Sequence, residues 1–177
     1  IIMATILLHS CLNGTKISSE CLDSGVSKEL ASFRKAHIKD MVYNLFFSIP
    51  SEKSSAVTGC SEIVFALGQP VPVVLDFKAD AQQISSVAVN GEPSDYIFEN
   101  EHIIIPEQEV VEGINSIKIE FTAADQSLNR RDEFLYTLLV PDRARTLFPC
   151  MDQPDMKASF TLSLTLPDSW VAVSNSA

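Results

Sequence analysis

The histidines of this chain, the residue type that most often binds metal ions in proteins, are few and scattered. The three histidines, His9, His37 and His102, lie far apart in the sequence. A zinc site on a helix needs two histidines one turn apart with a glutamate between them, and Glu101-His102 has no second histidine four residues away. We therefore expect each histidine to be a core or surface residue, and the sequence predicts no metal site and no cofactor in this chain.

Three glutamates form a local acidic cluster, Glu107, Glu109 and Glu112, which could attract a cation. Calcium and magnesium loops, however, need more oxygen ligands at defined spacing. A solvated acidic loop is the interpretation that we favour.

The cysteines could act as nucleophiles only with a suitable neighbour. Cys150 lies between a proline and a methionine, with no base or metal partner nearby in the sequence. The cysteines show no CxxC spacing. We therefore expect Cys21, Cys60 and Cys150 to be buried free thiols and do not predict a disulfide framework.

The N-terminal residues have a different character from the rest of the chain. Residues 1–8 are mostly apolar, and Leu8-His9-Ser10-Cys11 resembles a bacterial lipobox, in which the cysteine is lipidated after cleavage. Residues 1–26 are thus predicted to be the remnant of an export signal or tail, with Cys11 as the lipidation candidate. This predicts an exported protein, periplasmic or anchored in the outer membrane through a lipid. A plain signal or an ordinary apolar tail is the alternative.

Composition limits the classes of function. The net charge of −10 and pI near 4.6 argue against nucleic acid as a partner, because phosphate binding needs clustered Lys and Arg. With 46% hydrophobic and 20% charged residues, the chain is not disordered. Its length of 177 residues suits one main domain, predicted to span residues 27–177.

Periodicity predicts an all-β fold with one short N-terminal helix. Ser27 is a possible helix N-cap, and Leu30 and Phe33 lie on one helical face. Downstream, the apolar residues recur at every second position, and Asn90-Gly91 favours a tight hairpin. An antiparallel sandwich or saddle is the predicted architecture. The predicted strands span residues 41–49, 56–67, 71–77, 84–89, 96–98, 102–105, 114–122, 134–140, 159–166 and 170–174.

One segment carries a specific sequence motif, residues 143–160, which read RARTLFPCMDQPDMKASF. Its two prolines fix two φ angles, and Asp152 can accept hydrogen bonds from nearby backbone N–H groups, so the residues alone predict a rigid bend. The segment closely resembles the A-R-x-x-F-P-C-F-D-[EQ]-P-x-x-K-A-x-F pattern in the N-terminal domain of M1 (aminopeptidase N-like) zinc aminopeptidases. The matching positions that we expect to be structural or interface residues are Arg145, Phe148, Pro149, Cys150, Asp152, Pro154 and Lys157.

The resemblance implies a non-catalytic domain of a larger enzyme. Such enzymes carry zinc in a downstream catalytic domain that releases N-terminal amino acids from peptides. This domain would then buttress and partly cap the active-site cavity, and its partners would be that catalytic domain and the peptide substrates. Neither HExxH nor GxMEN occurs in the sequence, so we expect the chain alone to be inactive. Residues 171–175 still resemble a strand, which predicts truncation at the C-terminal end.

The strand before the motif is a possible contact with substrate. In related enzymes it reads T-Q-x-[EQ], and its two polar residues line the first specificity pocket. Thr137 matches, but Leu138 and Val140 stand at the polar positions. The resemblance therefore makes Leu138 and Val140 pocket-lining candidates. Alternatively, Phe134, Tyr136, Leu138 and Val140 form one apolar face of a core strand.

A second class of function also fits the strands, the export signal and the acidity. The chain could be a stand-alone β-sandwich lipoprotein for binding or adhesion. The motif favours the enzyme domain, because nothing about a free-standing sandwich requires that bend with its flanking Ala-Arg and Lys-Ala residues.

Overall fold

The computed structural model describes residues 12–13, 16–17 and 22–175, which form one α-helix and a series of short strands. The predicted all-β class with one short N-terminal helix is confirmed. In chain order the elements are β1 (Leu12–Asn13), β2 (Lys16–Ile17), α1 (Lys28–His37), β3 (Ile38–Ser48), β4 (Thr58–Leu67), β5 (Val73–Asp76), β6 (Ile84–Val89), β7 (Glu92–Pro93), β8 (Ile97–Glu99), β9 (His102–Ile105), β10 (Gly113–Thr122), β11 (Leu128–Arg130), β12 (Leu135–Thr137) and β13 (Ser159–Thr165).

Helix α1 begins at the predicted cap. The Ser27 side chain accepts a hydrogen bond from the Leu30 backbone N–H at 3.0 Å, which satisfies one of the donors that a helix start leaves free. Leu30 and Phe33 are buried on one face, as the spacing predicts, and Arg34 is buried beside them. The chain turns directly into β3 at Ile38.

A six-stranded sheet, in the order β13-β3-β4-β10-β6-β7, forms one layer of the domain. In β3 the inward residues Met41, Tyr43, Leu45 and Phe47 are buried and alternate with more exposed ones. Strands β4 and β10 pair antiparallel along their whole length. The hairpin between β6 and β7 turns at Asn90-Gly91, as predicted, with positive φ at both residues.

A three-stranded sheet, β5-β9-β8, forms the middle layer. Val73 and Leu75 of β5 belong to the main core, which this sheet shares with the six-stranded sheet. Val74, on the opposite face of β5, packs in a second cluster with Leu22 and with Leu30 of α1. Helix α1 and the segment before it therefore cover the outer face of the small sheet, so β5 is buried on both sides.

Two strand predictions need correction, and one strand pairs in a direction that the sequence did not indicate. Residues 134–140 form only the short β12, which pairs with β11 alone. Residues 170–174 form no strand, and Val171 and Val173 are 89% and 95% exposed, because no strand within the described residues pairs with them. Strand β13 pairs parallel to β3, so the sheet is mixed and not purely antiparallel.

None of the helical segments in the described part of the chain is long and apolar enough to cross a bilayer.

Gly59 makes a close packing contact that tests this arrangement. A Cβ atom there would lie 2.6 Å from the Phe121 ring and 2.9 Å from the Phe46 carbonyl oxygen. We expect Gly59→Ala to lower the free energy of unfolding by about 1–3 kcal/mol through overpacking, measured by urea denaturation. Gly68→Ala is the matched control, because nothing lies within 4 Å of its Cβ position. Equal stability of the two variants would contradict the packing described.

Candidate functional site

The motif turn, residues 145–154, lies mostly inside the domain. Phe148, Pro149 and Cys150 are buried. Cys150 pairs with Asp76 in an isolated antiparallel bridge, in which the Asp76 N–H donates to the Cys150 carbonyl at 2.6 Å and the Cys150 N–H donates back at 3.1 Å. The Ser61 hydroxyl donates to the Pro149 carbonyl at 3.0 Å. The turn is thus bonded to both sheets.

The Asp76 carboxylate lies under this turn and is fully buried. Arg34 donates to both carboxylate oxygens, at 2.6 and 2.9 Å, and the Asp152 backbone N–H donates at 2.9 Å. Burial alone would raise the pKa of Asp76. The Arg34 charge, the hydrogen bonds from His102 and Arg34, and the Asp152 N–H outweigh burial and lower the pKa. Asp76 is therefore an anion in the folded protein.

Arg34 is fully buried and uses its remaining donors on backbone and amide oxygens. Its Nε donates to the Val74 carbonyl at 3.1 Å, and Nη1 reaches Gln153 Oε1 at 3.5 Å. Arg34 was not among the site residues predicted from the sequence. One signal was available, because Arg34 lies four residues after Leu30 and so on the same helical face. Asp76 is likewise the one charged residue in the otherwise apolar run of residues 71–77.

His102 completes the network from β9. The histidine is fully buried, with Nδ1 3.0 Å from Asp76 Oδ1 and Nε2 3.0 Å from the Asp23 carbonyl oxygen. His37, the other histidine that the structure describes, is partly exposed at the end of α1. His102 is a core residue, and the sequence predicted either a core or a surface position for each histidine.

The motif cysteine lies in an environment that disfavours its thiolate form. Burial raises the pKa of the Cys150 thiol well above its ordinary value, and the charges of Asp152 and Asp76 add to this effect. The Met151 N–H donates to the Tyr43 hydroxyl at 3.0 Å, and burial raises the pKa of Tyr43. Cys60 is a free thiol that is only partly buried. Cys11 and Cys21 lie outside the described residues.

The remaining motif residues differ in exposure. Arg145 is buried and pairs with Glu101 and, at 3.6 Å, with Asp142, and its backbone N–H donates to Asp152 Oδ2 at 3.1 Å. Burial raises the pKa of Asp152, with a further contribution from the Asp76 charge. Pro154 and Lys157 are exposed. No ion-pair partner of Lys157 is found among the described residues.

Alternate residues before the motif form an exposed apolar strip, which we define as Phe134, Tyr136, Leu138 and Val140. Their exposed fractions lie between 49% and 80%. The interpretation of these four residues as a core face is therefore wrong, because the intervening Leu135 and Leu139 are the ones that pack against the core.

No group of three His, Cys, Asp or Glu side chains comes together among the described residues in a way that could hold a metal ion. The three glutamates of the acidic cluster do not form such a group. Glu107 and Glu112 are exposed, and Glu109 bonds to the Ser94 hydroxyl at 3.0 Å. The described residues do not fit a zinc site.

The fold and the motif together define the N-terminal domain of an M1 peptidase. The family model of the peptidase M1 N-terminal domain matches residues 39–177, and the chain belongs to this family. Among curated proteins it is similar to aminopeptidase N of Streptomyces lividans, with 30% identity in an alignment of 109 residues that covers 54% of this chain. The chain spans only 12% of that relative's length.

Two solved structures illustrate the fold that this chain shares. The native leukotriene A4 hydrolase of Saccharomyces cerevisiae has a TM-score of 0.62 at 18% identity, over 73% of this chain and 23% of that chain. An M1 zinc metallopeptidase from Deinococcus radiodurans has a TM-score of 0.58 at 20% identity, over 75% and 33% of the two chains.

Replacing Asp76 by Asn tests the buried network. The change keeps the side-chain size but leaves the Arg34 charge buried without its anion. We expect Asp76→Asn to lower the free energy of unfolding by about 3–5 kcal/mol, measured by urea denaturation. Asp155→Asn is the control, because it removes the exposed Lys35–Asp155 ion pair while the asparagine oxygen can still accept the hydrogen bond from Gln153. It should leave the denaturation midpoint nearly unchanged.

The same variant should alter the response to acid. A carboxyl whose pKa is lowered by folding stabilises the fold above its unfolded pKa, about 3.9 for aspartate, and this stabilisation is lost as the pH falls through the folded pKa. The parent chain should therefore lose stability below about pH 4 more steeply than Asp76→Asn. Parallel stability curves would contradict an ionised Asp76.

Proposed function

We propose that this domain forms one wall of the substrate cavity of an M1 zinc aminopeptidase that releases N-terminal amino acids from peptides. The observation that carries the proposal is the exposed apolar strip next to the family motif. Four large apolar side chains exposed within one short segment are typical of a surface that a partner covers. The partner that we propose is a catalytic domain of the same polypeptide.

The strip has a fixed position relative to the motif turn. The Arg143 N–H donates to the Leu139 carbonyl at 3.1 Å, so the chain doubles back directly after the strip. The Thr146 hydroxyl then donates to the Arg143 carbonyl at 2.8 Å and lies 2.6 Å from the Ser127 hydroxyl. These bonds support a rigid wall, because the strip cannot move far without breaking contacts of the buried turn.

Leu138 and Val140 are the residues that we propose line the first specificity pocket. Both lack a polar group that could bind the substrate's free amine, so recognition of the amine would depend on the catalytic domain. Apolar contacts from these two side chains would favour peptides that begin with an apolar residue. The zinc, the general base and the chemical step would likewise belong to residues outside the described part of this chain.

Replacing a strip residue tests this assignment in the full-length enzyme. We expect Leu138→Ser or Val140→Ser to lower kcat/KM about tenfold for peptides that begin with a large apolar residue, mainly through a higher KM. Peptides that begin with alanine should be less affected, because they make fewer contacts in the pocket.

Val111→Ser is the control for a general effect of removing an exposed apolar side chain. Val111 is as exposed as Leu138 but belongs to the acidic loop. Its kinetics should match those of the parent enzyme. Strip variants with unchanged kcat/KM for every peptide would remove Leu138 and Val140 from the pocket.

We propose separately that the protein is exported and lipidated at Cys11, on the strength of Leu8-His9-Ser10-Cys11. The expected result is a mature chain that begins at a lipid-modified Cys11, detected by mass spectrometry of protein from its native membrane. Cys11→Ser should abolish the modification, and the matched variant Cys21→Ser should retain it. A mature chain with unmodified Cys11 would contradict this proposal.

A further inference from the structure

Arg130, the last residue of β11, donates hydrogen bonds to the loop that joins β3 to β4. We call residues 50–55 of this loop the anchor loop. Nη1 of Arg130 donates to the carbonyl oxygens of Ser55 at 2.8 Å and Lys53 at 3.3 Å, and Nη2 donates to those of Glu52 at 2.8 Å and Pro50. Four carbonyl oxygens therefore converge on one guanidinium, whose planar and always charged fork offers enough donors for all of them.

The anchor loop is bonded to the six-stranded sheet at both of its ends. The Ile49 N–H donates to the Thr165 carbonyl of β13 at 2.9 Å, and the Ala123 N–H donates to the Val57 carbonyl at 2.8 Å. Ile49 and Val57, which lie just before and just after the anchor loop, are buried in the main core. A side chain that binds the anchor loop is therefore tied to the best-packed part of the domain.

The hairpin of β11 and β12 depends on contacts of this kind. Its two strands share three residue pairs and form a separate two-stranded sheet, and a two-stranded hairpin by itself is marginally stable in water. A cavity of about 740 Å³ borders both the anchor loop and the hairpin, at Leu128 and Arg130. Close packing alone therefore does not prevent the hairpin from shifting.

The pairing of the hairpin places Arg130 behind the exposed strip. Arg130 is paired with Leu135, so these two side chains lie on one face of the hairpin, and those of Phe134 and Tyr136 lie on the opposite face. The Phe134 and Tyr136 rings are about half exposed and stack on each other, with centroids 6.3 Å apart. A displacement of β11 is thus passed on to the first half of the strip.

We propose that Arg130 is a positioning residue for the substrate cavity, because its bonds to the anchor loop hold the hairpin and the hairpin holds the strip. This inference rests on the proposed function, in which the strip lines that cavity. Arg130 binds the anchor loop from the face opposite the strip and acts on the substrate only through the strip. Leu138 directly follows β12, so a displaced hairpin also moves the first specificity pocket.

Arg130→Gln in the full-length enzyme is the direct test, because glutamine is shorter and has only two donors for four carbonyl oxygens. Hydrogen exchange followed by mass spectrometry should be about tenfold faster in peptides that cover residues 128–140 and unchanged in peptides from β4 and β10. For substrates that begin with a large apolar residue, kcat/KM should fall about fivefold to tenfold. The change should lie mainly in KM, because the chemical groups outside this chain are untouched.

Two further variants separate positioning from a general effect. Arg131→Gln is the matched control. Its side chain is exposed, and it makes no hydrogen bond or ion pair within the described part of the chain. Arg131→Gln should keep the exchange and kinetics of the parent. In an enzyme that already carries Leu138→Ser, Arg130→Gln should lower kcat/KM less than about twofold, because both changes act on the same contact.

The outcomes separate this inference from the proposed function. If Leu138→Ser lowers kcat/KM and Arg130→Gln does not, the inference is overturned and the proposed function stands. If neither strip variant changes kcat/KM, the proposed function fails. Faster exchange confined to residues 50–55 in Arg130→Gln overturns the inference whatever the kinetics, because Arg130 would then hold only the anchor loop. Arg130→Lys, which keeps the charge but loses the planar fork, replaces Arg130→Gln if that variant does not fold, with the same outcomes.

Discussion

Two side chains, Arg34 and His102, share the single carboxylate of Asp76 in the interior of the domain. These three residues belong to helix α1, strand β5 and strand β9. They also bond to the motif turn, through the Asp152 N–H, and to the segment before α1, through the Asp23 carbonyl. A carboxylate without these partners would not be stable as an anion at this depth. The position of every element around the small sheet therefore depends on this network.

A buried ion pair need not stabilise a protein more than apolar residues of the same size would, because both charges lose their hydration. However, a buried ion pair restricts the relative positions of its two side chains more strictly than apolar packing does. Arg34 binds Asp76 through two parallel hydrogen bonds, a geometry that tolerates little displacement. The Asp152 N–H donates to the same carboxylate. Helix α1 thus fixes the turn, and the turn fixes the end of the exposed strip through Arg143 and Leu139.

Local patterns were sufficient to predict the helix that begins after Ser27, the alternation in β3 and the hairpin at Asn90-Gly91, because each depends on neighbours in sequence. The network was missed because Arg34 and Asp76 are 42 residues apart, and no local rule pairs them. The apolar strip was ambiguous for a different reason. A period of two is the same whether a strand face packs inside its own domain or against a partner, so only the structure could show that Leu138 and Val140 are exposed.

The central claim is that a rigid turn presents the apolar strip to a catalytic domain as a wall of its substrate cavity. A structure of the full-length protein with a bound peptide analogue tests this claim most directly. The account predicts that the strip is buried against the catalytic domain and that Leu138 and Val140 lie within about 4.5 Å of the first side chain of the ligand. A strip that stays exposed to solvent, far from the ligand, would contradict it.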